Sequence, residues 1–147
     1  MRILFLADVF GAAGRQAVEQ RLPALRDELA VDFCIVNGEN VADGRGLTPR
    51  LGDRLLAAGA DVITLGNHTW RRGEIAPYLQ ESERVIRPAN FSAHAPGRGL
   101  AFVSAPDGTD VAVINLQGAL FLDTQIHPFE IAPPTQTRSS GPSPIVQ

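Results

Sequence analysis

The stretch FCIVNGENVADGRGLTPRLGDRLLAAGADVITLGNH, residues 33–68, decides the fold. It carries two apolar runs of strand length, which predict strands over 31–37 and 61–65. Between them, Thr48-Pro49 is a helix N-cap followed by proline at the first helical position, and Gly59 is a plausible C-terminal stop. The stretch therefore predicts a β-α-β unit with parallel strands and a right-handed crossover.

The same alternation continues on both sides of this unit. Residues 2–7 predict an unalternating strand covered on both faces, followed by a turn at 11–14. The next helix contains Pro23, which should kink it or begin a second helix. Further along, a helix around 72–80 and a short strand at 84–87 extend the pattern to β-α-β-α-β-α-β. This order predicts an α/β fold with a mostly parallel sheet and flanking helices.

A change in composition divides the chain. Residues 100–105 and 110–116 predict a hairpin that turns at Asp107-Gly108. We therefore assign 1–130 to one folded unit. The segment 131–147 is rich in Pro, Ser and Thr, and we expect it to be irregular because it cannot bury enough apolar surface to offset its ordering entropy.

Composition also narrows the function classes. The chain has 147 residues, a formal net charge of −3 and a single cysteine, Cys34. This net negative charge does not favour binding to duplex nucleic acid or to an anionic membrane surface. No apolar segment approaches the length of a membrane span. Cys34 lies in a strand pattern and is interpreted as a small buried hydrophobe. These features favour a cytoplasmic protein.

Polar side chains follow three of the predicted strands directly, and they are Asp8, Glu39, Asn40, Asn67 and His68. In open α/β sheets, ligands bind beyond the carboxyl ends of the strands, so we expect these side chains to share one site. Taken singly, Asp8 could be a cap, Asn40 a turn residue and His68 a satisfied histidine. Their joint placement favours a functional site.

Carboxylate, amide and imidazole groups together form a mixed oxygen and nitrogen ligand set. Such a set suits manganese, iron or zinc better than calcium. Glu39 can bridge two ions, because one carboxylate offers an oxygen to each. Two metal ions about 3.5–4 Å apart can activate water and clamp a phosphate, and an adjacent His68 could protonate the leaving oxygen.

Five segments carry a resemblance to a known family, and they are ADVFGAAGR (7–15), VNGENVADGRGLT (36–48), ITLGNHTW (63–70), RPANF (87–91) and VINLQGALF (113–121). LGNHTW is similar to the Gly-Asn-His signature of calcineurin-like metallophosphoesterases. Together the segments resemble the YmdB-type branch of bacteria, which is described as 2′,3′-cyclic-nucleotide phosphodiesterases. Phe10 stands where many relatives in the wider superfamily have a ligand histidine.

The resemblance implies an αββα sandwich and a dinuclear centre of divalent or mixed-valence ions, with iron or manganese favoured over zinc. It implies that Asp8, Glu39 and Asn40 bind one metal, that Glu39 bridges to a second ion held by Asn67, and that His68 is the proton donor. A small phosphodiester or cyclic nucleotide would be the substrate.

The resemblance covers about residues 1–130 and implies roughly the first half of the family fold. The ligand histidines of the family's second half have no counterpart, since we expect His94 to be exposed and His127 to lie in a loop. We expect low activity, an uncovered sheet face, and weak stability or self-association into a homo-oligomer. Two alternatives stay open: a non-catalytic remnant that needs a complementing chain, and a nucleotide-binding module suggested by Gly11-x-x-Gly14.

Overall fold

The computed structural model describes residues 1–120, 122, 126–131 and 144–146. Its first half is a parallel sheet of four strands in the order β1-β2-β3-β4. The strands are β1 (Ile3–Leu6), β2 (Phe33–Asn37), β3 (Val62–Thr64) and β4 (Val85–Ile86). The helices between them are α1 (Gly11–Glu28), α2 (Pro49–Ala57) and α3 (Ile75–Glu81). This confirms the predicted α/β fold with flanking helices.

A second, smaller sheet packs on the first. Strands β5 (Leu100–Ser104) and β6 (Asp110–Ile114) form the predicted antiparallel hairpin, and Gly108 supplies the positive φ of 82° in its turn. The strand β7 (Pro144–Val146) pairs with β6 in parallel. The described residues therefore form three layers, in which the helices cover one face of the parallel sheet and the hairpin covers the other.

Two apolar cores join these layers. The helical core brings Leu22, Leu55 and Leu79 of the three helices against Cys34 and Ile63 of the sheet. The core between the sheets consists of Phe33, Ile35, Val62, Ile86, Ala101, Ala105, Val111 and Val113. Both faces of β2, β3 and β4 are thus buried, which explains why these strands read as continuous apolar runs.

Strand β1 differs from the expectation that both its faces are covered. Leu4 and Leu6 pack on the helical core, but Ile3 is 41% exposed and Phe5 46% exposed. The register pairs these two residues with Phe33 and Ile35, whose side chains pack against the small sheet. The small sheet does not extend over β1, so this face of β1 is open.

Helix α1 corrects one prediction, because residues 11–14 form its first turn rather than a separate turn. It also runs as one helix through Pro23, so of the two alternatives at this proline the start of a second helix is wrong, and the kink stays a prediction. Pro23 has no N–H to donate to the carbonyl of Glu19, so the helix loses one hydrogen bond there. The predicted cap of α2 is confirmed, because Thr48 Oγ1 accepts a hydrogen bond from Leu51 N at 3.3 Å. Gly59 follows α2 with a φ of +112°.

The segment after Glu130 is described only in part. Strand β7 departs from the prediction of an irregular segment over 131–147. Ile145 and Val146 are residue types that favour strands, and the open edge of β6 supplies the hydrogen-bonding partner. The remainder of that prediction, over 132–143, lies outside the described residues. Among the described residues, no helix combines the length and the apolarity needed to cross a membrane.

Candidate active site

Three loops at the carboxyl edge of the parallel sheet carry the predicted site. Asp8 follows β1 and has a positive φ of 47°, a backbone conformation that aspartate tolerates better than most residues. Glu39 and Asn40 follow β2, and Asn67 and His68 follow β3. The edge is held together by backbone hydrogen bonds, from Val9 N to Asn37 O at 3.2 Å and from Gly11 N to Asn40 O at 2.8 Å.

Asn40 links the first and third loops through its amide. Its Nδ2 donates to Asp8 Oδ1 at 2.6 Å, and its Oδ1 lies 2.6 Å from His68 Nδ1. Because a carboxylate only accepts, Nδ2 must face Asp8 and Oδ1 must face His68. The proton on His68 is therefore on Nδ1, which donates to Asn40. The Asn40 amide thus orients both the Asp8 carboxylate and the His68 imidazole.

Glu39 also contacts His68, through the backbone N–H and near the same ring nitrogen. Glu39 Oε2 accepts a hydrogen bond from the backbone N–H of His68 at 3.0 Å and lies 3.9 Å from His68 Nδ1. A Cβ at Gly66 would lie 2.7 Å from Cδ of Glu39, so only glycine leaves room for this carboxylate. The glycine of the Gly-Asn-His segment thus serves to admit the glutamate.

Two depressions adjoin these residues. A cleft of about 230 Å³ has Glu39, Asn67 and Gln117 on its wall. A larger recess of about 590 Å³ also has Asn67 on its wall, together with Trp70 and Phe91. The structure therefore brings Asp8, Glu39, Asn40 and His68 into one hydrogen-bonded group. Asn67 is exposed beside them, where the cleft and the recess meet.

The donor chemistry of this group fits a hard divalent ion. Asp8 and Glu39 offer carboxylate oxygens, and Asn40 and Asn67 offer amide oxygens. Asn40 Oδ1 has a second lone pair beyond the one that His68 uses. Within the described part of the chain, no cluster of three or more His, Cys, Asp or Glu side chains is placed to hold a metal.

The remaining polar residues support the site through the backbone. Arg72 donates to Ala42 O at 2.6 Å and to Arg45 O at 3.1 Å, which ties the loop after β2 to the loop after β3. Asn115 Nδ2 donates to Leu65 O at 2.6 Å and so joins the two sheets at this edge. His94 is exposed and His127 precedes the four-residue helix α4 (Pro128–Ile131), as expected for both.

Some residues around the site were not predicted from the sequence as functional. Gln117, Trp70 and Phe91 come from different parts of the chain: Trp70 lies in a short 3-10 helix (Thr69–Arg71), and the other two lie on loops. Their only signal was membership in the segments 63–70, 87–91 and 113–121, because no spacing rule joins residues so far apart. Gly66 gave no separate signal either, since its role depends on where the Glu39 side chain lies.

Comparisons with known proteins agree with the resemblance. A 2′,3′-cyclic-nucleotide 2′-phosphodiesterase of Bacillus subtilis (strain 168) is 46% identical over 129 residues, which is 88% of this chain and 48% of that protein. The chain also superposes on two crystal structures. A protein of Thermus thermophilus described as hypothetical has a TM-score of 0.80 at 39% identity, and a novel phosphatase of Mycoplasma pneumoniae has a TM-score of 0.77 at 31% identity.

Both superpositions include 88% of this chain, but only 50% and 48% of those two structures. The chain thus spans about half the length of the relatives that it matches. The family model described as YmdB-like protein matches residues 4–146, which extends beyond residue 130, where the sequence resemblance was expected to end. The chain belongs to the YmdB-like protein family.

Proposed function

We propose that this chain carries the phosphodiesterase site of a metal-dependent enzyme that hydrolyses 2′,3′-cyclic nucleotides. The observation that carries the proposal is the hydrogen-bonded group of Asp8, Asn40, His68 and Glu39 at the carboxyl edge of the sheet. It places two carboxylates beside an oriented imidazole. The Bacillus subtilis relative, which is named for this reaction, supports the choice of substrate.

His68 is the proton donor in this proposal. Its Nδ1–H is engaged by Asn40, so Nε2 is the ring nitrogen available to a substrate. Protonation at Nε2 creates an imidazolium, which the carboxylate of Glu39 at 3.9 Å stabilises. Water forms a new bond to phosphorus and releases a proton to solvent, the bond from phosphorus to one ribose oxygen breaks, and that oxygen takes the proton from Nε2, which solvent then protonates again. The product is a nucleotide monoester.

Asp8, Glu39, Asn40 and Asn67 are the residues that would hold the metal ions, with iron or manganese favoured. When bound, divalent ions supply positive charge that makes water a better nucleophile and neutralises phosphate oxygens. The side chains of Asp8 and Glu39 form no ion pair with arginine among the described residues, so both carboxylates are available to a cation. A cytoplasmic location and a homo-oligomeric state remain predictions.

Hydrolysis by the purified chain tests this function. We expect the chain with Mn²⁺ or Fe²⁺ to convert 2′,3′-cyclic AMP slowly to a single monophosphate, detected by ³¹P NMR, and chelation to stop the reaction. His68→Asn should lower kcat by about 10²–10⁴-fold while Mn²⁺ binding is retained, because a general acid is lost and the ligands stay. Asp27→Asn, on the exposed surface of α1, is the matched control and should be neutral. Equal turnover by His68→Asn would contradict the assigned role.

A second candidate is a module that binds nucleotide or metal without turnover. The observation that favours it is the small ligand set, in which Asp8, Glu39, Asn40 and Asn67 offer two carboxylates and two amides. A set of this size can hold one ion, whereas activating water and clamping a phosphate together takes two. Calorimetric titration with Mn²⁺ separates the two functions. Saturable binding without hydrolysis identifies the module, and binding together with hydrolysis identifies the enzyme.

A further inference from the structure

We propose that the recess beside Asn67, with Trp70 and Phe91 on its wall, binds the nucleobase of the substrate; this inference rests on the proposed function. Its volume of about 590 Å³ falls within the range of about 300–1,000 Å³ typical of small-molecule pockets. Asn67 borders both this recess and the cleft that contains Glu39. A nucleotide whose phosphate lies at the acidic group would therefore have its base in reach of the recess.

The aromatic side chains indicate how the base would be held. The ring centroids of Trp70 and Phe91 are 6.3 Å apart with an interplanar angle of 38°. A base inserted between two rings needs about 3.5 Å on each side, so this pair is too close and too tilted to admit one. Trp70 is 42% exposed, however, and presents a free surface. The base would stack on Trp70, with Phe91 supporting the indole from its other side.

Gln117 adds to the recess a polar side chain whose oxygen has no hydrogen-bond partner among the described residues. It is only 8% exposed and lies on the walls of both the recess and the cleft. Its backbone is fixed, because Gln117 N donates to Asn90 Oδ1 and Gln117 O accepts from Asn90 Nδ2, both at 2.8 Å. Its side-chain Oε1 is buried without a hydrogen-bond partner in the described chain. A change of the Gln117 side-chain rotamer toward the recess would present this acceptor to the N–H donors of a nucleobase.

The two neighbouring arginines have different roles. Arg72 is bonded to the carbonyls of Ala42 and Arg45 and pairs with Asp43. Arg71, by contrast, is exposed on the wall of the recess, and its guanidinium makes no hydrogen bond or ion pair with the groups that the structure describes. A guanidinium without a partner on the wall of the recess suits a ligand that carries a phosphate.

The part of the recess wall that carries Phe91 is held in place from inside the protein. Arg87 is 6% exposed, and its guanidinium donates to Pro96 O at 3.1 Å, Pro88 O at 2.8 Å and Ala95 O at 3.2 Å. These bonds close the loop that carries Phe91. A wall that is already ordered loses little entropy when a base binds to it.

Trp70 is the only tryptophan in the chain, so its fluorescence reports directly on the recess. We expect 3′-AMP, added to the Mn²⁺-loaded chain, to quench this emission saturably. Ribose 5-phosphate and inorganic phosphate, which lack a base, should leave the emission unchanged at the same concentrations. Equal quenching by 3′-AMP and ribose 5-phosphate would overturn the proposal, because the base would then make no contribution.

Variants extend the test to affinity, measured by calorimetry. Trp70→Ala should weaken 3′-AMP binding by about tenfold or more, whereas Trp70→Phe should change it by less than about threefold, because a stacking surface remains. Phe102→Ala is the matched control, since Phe102 is an exposed aromatic residue (65%) on the small sheet. Circular dichroism verifies that each variant is folded. Wild-type affinity in folded Trp70→Ala would also overturn the proposal.

The outcome separates this inference from the proposed function. Bis(p-nitrophenyl) phosphate hydrolysis with Mn²⁺ reports on the acidic group without a nucleobase. If the chain hydrolyses this ester but 3′-AMP does not quench Trp70, the recess assignment fails and the phosphodiesterase function stands. If 3′-AMP quenches Trp70 but no ester is hydrolysed, the recess assignment holds and the catalytic function fails.

Discussion

The two ends of the parallel sheet use acidic residues in opposite ways. At the amino end, Asp61 precedes β3, and its Oδ2 accepts from Arg26 Nη1 at 2.5 Å and from Cys34 N at 2.7 Å. Arg84 also donates to Asp61 O at 2.7 Å. At the carboxyl end, Asp8 and Glu39 pair with no arginine among the described residues. An aspartate that stabilises the fold has its counter-charge within the chain, whereas the carboxylates of the site are left for a ligand.

Replacing the Glu39 carboxylate at the carboxyl end of the sheet with an amide should have the largest effect of the changes considered. That effect should fall on hydrolysis and not on stability. Glu39→Gln keeps an oxygen for the backbone N–H of His68 but removes the negative charge. We expect hydrolysis of 2′,3′-cyclic AMP to fall by more than about 100-fold, as for loss of a metal-supporting group. The free energy of unfolding should change by less than about 0.5 kcal/mol, because Glu39 pairs with no arginine among the described residues. Urea denaturation and rate measurements on the same sample test both statements.

The reverse pattern is expected at the amino end. Asp61→Asn leaves an oxygen for Cys34 N but exposes Arg26 and Arg84 to each other without a carboxylate between them. Both side chains of the Arg26–Asp61 pair are 19% exposed, so the pair is largely shielded from solvent. We expect the free energy of unfolding to fall by about 2–3 kcal/mol in urea denaturation.

Asp27→Asn, an exposed change on α1, is the control and should be neutral. Turnover per folded Asp61→Asn molecule should equal that of the wild type. A large loss of turnover in Asp61→Asn without loss of stability would contradict the structural role assigned to the amino end of the sheet.

The architecture was largely predictable from the sequence, because the pattern of apolar runs separated by caps and turns defines most of its elements. Runs of apolar residues with a helix cap at Thr48 and a turn at Gly108 define β2, α2, β3 and the hairpin. The predictions were wrong where packing elsewhere in the fold overrides a rule based on neighbouring residues. Pro23 is tolerated within α1 because it is exposed, and Ile3 of β1 is exposed because the small sheet ends before reaching it. Neither condition can be read from neighbouring residues.

The candidate site was predictable for a related reason. Strand ends converge at one edge of a parallel sheet, so position along the chain implied that Asp8, Glu39 and His68 lie close together. The sequence could not supply the orientation of Asn40 between Asp8 and His68, because that depends on side-chain rotamers. It also did not reveal the recess, since Trp70 and Phe91 meet only after the loops are folded.

The smallest expected effect concerns Cys34, which lies near the amino end of the parallel sheet. Its backbone N–H donates a hydrogen bond to Asp61. Burial raises the pKa of Cys34 to about 11 from an ordinary value of 9.0, with the Asp61 charge adding to the rise and Arg26 opposing it. The neutral thiol therefore contributes stability that is fully present below pH 9 and is lost as the pH rises toward 11. We expect this loss to reach up to about 2 kcal/mol in urea denaturation.

The chain offers a clean background for this measurement, because all thirteen of its basic side chains are arginine and none titrates in this range. Tyr78 is the other contributor, since burial and its hydrogen bond to Asp53 raise its pKa as well. Comparing Cys34→Ala with Tyr78→Phe separates the two. Cys34→Ala should be less stable at pH 7.5 but should flatten the decline between pH 9 and 11, whereas Tyr78→Phe should leave the Cys34 part of the decline in place. If Cys34→Ala declines as steeply as the wild type, the thiol at the amino end is not held neutral by its burial.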